Sequence, residues 1–160
     1  LVGFAALIAV LATVIGYVGF TTYSLIAENE EKNFEKIVDS LALQLRYLMK
    51  INTNFSMVLR YPVEVIYNRR YNILIGSGEA ITRDYPFITG LNNDTIYVVA
   101  VDLSNGRYAY SEIVVNATTK PLILNENPKI FGSGTITVVE KIVYDDYVYL
   151  NIVVKGVRTS

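Results

Sequence analysis

The chain has no histidine and no cysteine among its 160 residues. That removes the commonest general base near neutral pH, the commonest metal ligand, thiolate nucleophiles and disulfides. A nucleophile with its base would have to be assembled from Ser or Thr with Lys. Lys120, Lys129, Lys141 and Lys155 all fall beside expected strands and turns, where they read as solvated surface charges. Asp145-Asp146 could be taken for a cation site, but a pair of turn-forming residues between two strands reads as a hairpin turn. Glu64 and Glu79 give no carboxylate dyad. Gly76-Ser77-Gly78 and Gly132-Ser133-Gly134 read as strand breaks, because neither fits a phosphate-cradling loop. No enzyme, no metal and no cofactor are expected.

The chemistry that does stand out is modification. Three N-x-[ST] sequons occur, at Asn54-Phe55-Ser56, Asn93-Asp94-Thr95 and Asn116-Ala117-Thr118. If their domain lies outside the cell, Asn54, Asn93 and Asn116 are acceptors for N-linked glycans. The net charge of −1 supplies no basic surplus to neutralise phosphates, so nucleic acid is not an expected partner.

The elements that must carry these residues fall into two parts. Hydrophobic residues make up 52% of the chain and charged residues 18%, against about a quarter charged in an average soluble domain. The excess is concentrated at the start. Leu1 to Ala27 (LVGFAALIAVLATVIGYVGFTTYSLIA) holds no charged residue. As a helix it spans ~40 Å, more than the ~30 Å hydrocarbon core of a bilayer. The start at Leu1 rather than Met leads to the expectation of a mature chain from which a leader has been removed; a truncated chain is the alternative.

Beyond Ala27 the pattern becomes one-sided. Phe34, Ile37, Val38, Leu41, Leu45 and Leu48 recur at spacings of three and four, with Glu35, Lys36, Asp39, Gln44 and Arg46 between them. This is an amphipathic helix, and no proline interrupts it before Pro62. One continuous helix from Leu1 to about Ile51 is therefore expected. Its first half needs burial on every side, in lipid or among copies of itself. Leu1, Phe4, Leu7, Ile8, Leu11, Val14, Ile15 and Val18 are the expected polymerisation core. Its second half needs one partner face, with Phe34, Ile37, Leu41, Leu45 and Leu48 docking a head domain. The flank holding Glu28, Glu30, Glu31 and Glu35 against Lys32 and Lys36 lacks the basic excess of a cytoplasmic flank, so the head is expected outside.

From about Ser56 the period changes to that of strands. Met57 to Tyr67 holds Pro62, which favours an edge strand or bulge. Tyr71–Ile75, Thr95–Asp102, Arg107–Val115, Thr135–Tyr144 and Tyr147–Lys155 are further strands. Asn105-Gly106 and Asp145-Asp146 are two-residue hairpin turns between them. The expected fold class is α+β: a helix over 1–53, then an all-β, immunoglobulin-like sandwich over 54–160. The alternating tyrosines (Tyr97, Tyr108, Tyr110, Tyr144, Tyr147, Tyr149) are expected to fill sheet faces.

This layout resembles the type IV pilin-like proteins: an uncharged helix at the mature N-terminus, its amphipathic extension and a cysteine-free β-head. The archaeal branch, pilins and the related archaellins, is the nearest. Bacterial type IV pilins carry a glutamate where this sequence has Ala5, which points away from them. The resemblance covers the whole chain in layout. It implies cleavage before Leu1 by a prepilin peptidase and a membrane-embedded precursor in the cytoplasmic membrane. It further implies assembly machinery, and homo-oligomerisation into an extracellular adhesive filament with helices inside and glycosylated heads outside. The alternatives are an archaellin, or a membrane-anchored accessory component of the archaellum such as a stator.

Overall fold

The computed structural model describes residues 2–61, 70–113 and 120–157, with side chains from residue 10 onward. The N-terminal half of the sequence forms one helix, α1 (Val2–Lys50), unbroken across the change from all-round apolar to amphipathic sequence. Its 49 residues give a rod of ~73 Å. No proline or turn signal lies within it, so nothing stops propagation until Ile51.

The rest of the described chain is mostly strand. β1 (Phe55–Arg60), β7 (Thr135–Val143), β8 (Val148–Val157) and β5 (Leu122–Leu124) form one sheet in the order β1-β7-β8-β5. β4 (Arg107–Ile113), β3 (Ile96–Asp102), β2 (Asn72–Ser77) and β6 (Lys129–Gly132) form the other in the order β4-β3-β2-β6. Among the described residues all strand pairings are antiparallel except β5 with β8. The expected two-sheet β-region is thus present. Its strand orders are not those of the ABED and CFG sheets of the immunoglobulin fold. β1 sits at a sheet edge. The remainder of the expected Met57–Tyr67 strand, with Pro62, lies outside the described residues.

One core joins the three layers. Phe34, Val38, Leu41, Ala42, Leu45 and Leu48 of α1 are buried with Ile73, Ile75, Val98, Ala100 and Ala109 of the second sheet. Leu59, Val139, Leu150 and Ile152 of the first sheet complete it. α1 lies mainly across β4 and β3. The opposite face of the second sheet is covered as well. Leu74, Val99 and Val101 pack under Ile81 and Ile88. Double-sided cover explains why β3 is buried almost without alternation.

Ile81 belongs to a helix that the strand pattern does not announce, α2 (Gly78–Asp84). The Gly76-Ser77-Gly78 stretch, expected as a strand break, instead ends β2 and starts this helix. Ser77 is the N-cap and its Oγ accepts from Ala80 N at 3.3 Å. A Cβ at position 78 would run into the Asn92 carbonyl, so the helix can begin here only at a glycine.

The two hairpins divide in the same way. Asp145-Asp146 is a two-residue turn, closed by Tyr144 N donating to Tyr147 O at 2.9 Å. Asn105-Gly106 is not. Strands β3 and β4 pair as far as Asp102 and Arg107, leaving a four-residue loop, 103–106. Gly106 closes it with φ 72°, donating to Asp102 O at 2.8 Å. Asp102 draws in Ser104 through a 2.8 Å bond from Ser104 N, which lengthens the turn.

Candidate assembly helix and its attachment to the head

α1 has two environments. From Val10 to Leu25 its large apolar side chains point into open space on every side: Val10, Leu11, Val14, Ile15, Tyr17, Val18, Phe20, Tyr23 and Leu25 are all more than half exposed, Phe20 at 72%. Of the expected polymerisation core, Leu11, Val14, Ile15 and Val18 lie in this exposed stretch. Phe4, Leu7 and Ile8 lie on α1 before the described side chains, and Leu1 lies outside the described residues. The helix is long and apolar enough to cross a membrane.

From Glu30 onward one face is buried. Phe34, Leu41, Leu45 and Leu48 are at most 4% exposed, and Ile37 is partly buried against the same core. The structure therefore places all five expected docking residues against the head. It adds Val38 and Ala42 on the same stripe.

Three polar fastenings, spread along the stem, hold this face in register. Sequence reasoning found none of them. The first is Glu30. Counted among flank charges in the sequence, it is instead buried at 2% exposure. Arg107 at the start of β4 donates from Nη1 to Glu30 Oε2 at 2.7 Å and from Nη2 to the Tyr23 hydroxyl at 3.0 Å. The guanidinium also lies 5.3 Å from the centre of the Tyr23 ring.

The second is Arg46, whose Nε donates to the Glu112 carbonyl at 2.9 Å and whose Nη2 reaches the same oxygen. The third is Lys141. Read from sequence as a surface charge, it is buried at 3% exposure on β7. Its Nζ donates to the carbonyls of Leu48 at 3.1 Å, Met49 at 3.0 Å and Ile51. Leu48 and Met49 lie in the last turn of α1 and Ile51 just beyond it, at the negative end of the helix dipole; Leu48 O also accepts from Ile51 N at 3.3 Å. Burial lowers the Lys141 pKa from its ordinary value.

Only the pattern of partners could have revealed these three residues. A buried carboxylate or ammonium is tolerated when its charge is met by hydrogen bonds, and the atoms that meet Glu30 and Lys141 come from segments 77 and about 90 residues away.

Two of the three sequon asparagines lie among the described residues. Asn54 is exposed, and its Oδ1 accepts from Val143 N at 2.8 Å. Asn93 is exposed in the loop before β3. Asn116 lies outside the described residues. Lys129 makes an ion pair with Glu126 at 2.9 Å, and Lys120 donates to the Tyr144 carbonyl at 2.6 Å. Among the described residues no group of acidic side chains has the arrangement to hold a metal ion. The tyrosines divide by position: Tyr97 is buried, Tyr108, Tyr147 and Tyr149 are half-buried, and Tyr110 and Tyr144 are exposed.

No family model, no curated protein and no solved structure matches the chain.

Proposed function

We propose that this protein is a structural subunit, a pilin, of an extracellular filament of the archaeal type IV pilus kind. The observation that carries this reading is the continuity of α1. A stem docked on its own head through Phe34, Leu41, Leu45 and Leu48 runs without a break into a rod whose apolar side chains are exposed all round. Such a surface needs lipid or many copies of itself. In the precursor, lipid covers it. In the filament, neighbouring α1 helices do, and the heads coat the outside.

Assembly on this reading is exchange of lipid contact for helix contact. Lipid tails are as apolar as the side chains, so close packing rather than a hydrophobic gain holds the core. Ala12, Gly16 and Gly19 allow near approach of backbones, and nothing within the subunit crowds the two glycines. The three fastenings keep head and stem one rigid unit, so that a regular helical lattice of stems spaces the heads regularly. Surface adhesion and N-glycans on Asn54, Asn93 and Asn116 belong to the same proposal.

The test is direct. Cells are sheared, released filaments are collected and imaged, and their subunit is identified by mass. The chain is expected in the filament. Its retention in the membrane fraction, with no filament containing it, would overturn the reading in favour of a membrane-anchored accessory protein. Ala12→Lys should abolish assembly, because a lysine without a partner in a dry helical core is very costly. Normal filaments from that variant would argue against helices in the core.

A further inference from the structure

The β3–β4 hairpin tip is fixed at one level of the stem. Arg107 touches both Tyr23 and Glu30, so the loop 103–106 beside it lies alongside the last turns of the uncharged segment. Three side chains of this rim are apolar and open: Leu103 at 49% exposed, Phe87 at 44% and Tyr23 at 64%. Phe87 lies next to the loop, since a Cβ on Gly106 would sit 3.9 Å from its ring. Arg70 and Leu103 border the same shallow depression at the start of β2, and Arg70 is exposed. The rim therefore joins apolar and aromatic side chains to two arginines.

The stem sets where this rim must be. Glu28 is the first charged residue of α1 and is exposed, so it belongs outside the hydrocarbon. Tyr23 lies five residues before it, ~8 Å deeper along the axis. The headgroup layer on each side of a bilayer is only ~5–7 Å thick. With Glu28 at the outer side of that layer, Tyr23 reaches its inner side, and a guanidinium bonded to Tyr23 and Glu30 spans it. Glu30, two residues further out than Glu28, is buried against the head, and Arg107 meets its charge there.

We infer that the rim formed by Leu103, Phe87, Tyr23 and Arg70 is a membrane-contact surface that seats the head in the headgroup layer of the lipid bilayer before assembly. Apolar and aromatic side chains at such a level enter the acyl boundary, while arginine meets anionic headgroups. The inference rests on the reading that α1 spans a membrane in the unassembled subunit. Its consequence is that the head does not swing freely above the membrane but is presented at a fixed height and tilt.

The chain has no tryptophan, so single-tryptophan variants of the full chain report depth without background. Leu103→Trp reports the rim, Phe20→Trp the apolar helix, and Tyr144→Trp the far hairpin at the other end of the head. Each is reconstituted into vesicles of phosphatidylcholine and phosphatidylglycerol carrying a quencher near the headgroup or deep in the acyl chains.

The expected result is quenching of Phe20→Trp by the deep label. Leu103→Trp should show blue-shifted emission and quenching by the shallow label, with Tyr144→Trp unaffected by either. If Phe20→Trp is quenched while Leu103→Trp emits as in water, the rim proposal is overturned and the spanning helix stands. If neither is quenched, both the rim and the spanning helix are overturned.

Discussion

Arg107 and Glu30, 77 residues apart in sequence, form a 2.7 Å ion pair between the head's β4 and the stem. Glu30 is the more deeply buried partner, at 3% side-chain exposure against 23%. Removing Arg107 would leave a carboxylate in the interface without its cation. Arg107→Met should therefore destabilise the detergent-solubilised chain by about 3 kcal/mol, at the lower end for a broken buried pair because the arginine keeps some solvent. Adding Glu30→Gln to that variant should recover a good part of the loss, since the stranded charge goes with it. Urea unfolding followed by tyrosine near-ultraviolet circular dichroism measures both. Equal stability of the single variant and the unaltered chain would show that the pair does not join head to stem.

Lys141 fastens the other end of the docked stem. Its ammonium serves the carbonyls of Leu48, Met49 and Ile51 at once. Methionine at this position keeps the bulk and loses the donors. Lys141→Met should cost about 2 kcal/mol, the lost charged hydrogen bonds being partly offset by an end to the burial of a charge. The effect should also be local. Amide hydrogen exchange should speed up over residues 45–50, at the frayed end of α1, and stay unchanged around Phe34 and Val38. Uniform acceleration along the stem would mean that Lys141 supports the head as a whole rather than the helix end.

The docking stripe was legible because periodicity is a local signal: Phe34, Leu41, Leu45 and Leu48 repeat at the helical spacing, and all are buried. Ala42 escaped because a small side chain adds little to a pattern of large ones, although it is fully buried. Helix α2 escaped because seven residues show less than two full turns of any period. The strands of the hairpin after Asp102 end where the sequence sets them, at Asp102 and Arg107; only the turn between them differs. Asn105-Gly106 marks the hairpin, and within the loop the Asp102 side chain captures Ser104, so the turn is longer than two residues. Strand order, and the roles of Glu30 and Lys141, depend on partners distant in sequence, and no local pattern encodes them.

Two buried phenols make the fold sensitive to alkali. Tyr61 and Tyr71 are each 1% exposed, and burial raises both pKa values well above the usual 10. A folded pKa above the unfolded one means stability present below pH 10 and lost as pH rises past it, because only the unfolded chain can release those protons. Each group should contribute a slope of about 1.4 kcal/mol per pH unit, so the pair gives about 2.7 above pH ~11. Lys141 acts in the opposite sense. Its pKa is lowered from 10.5 by burial, so it adds stability as pH climbs toward that value and nothing beyond it. Stability should thus rise slightly below pH 10, through Lys141, and fall steeply above it, where two phenols outweigh one ammonium. Tyr61→Phe removes the 3.2 Å bond to Thr137 Oγ1 and should cost about 1 kcal/mol at neutral pH, while halving the alkaline slope. Urea unfolding at intervals from pH 8 to 12 reads this out. An alkaline slope unchanged by Tyr61→Phe would show that this phenol ionises in the folded protein as readily as in the unfolded chain.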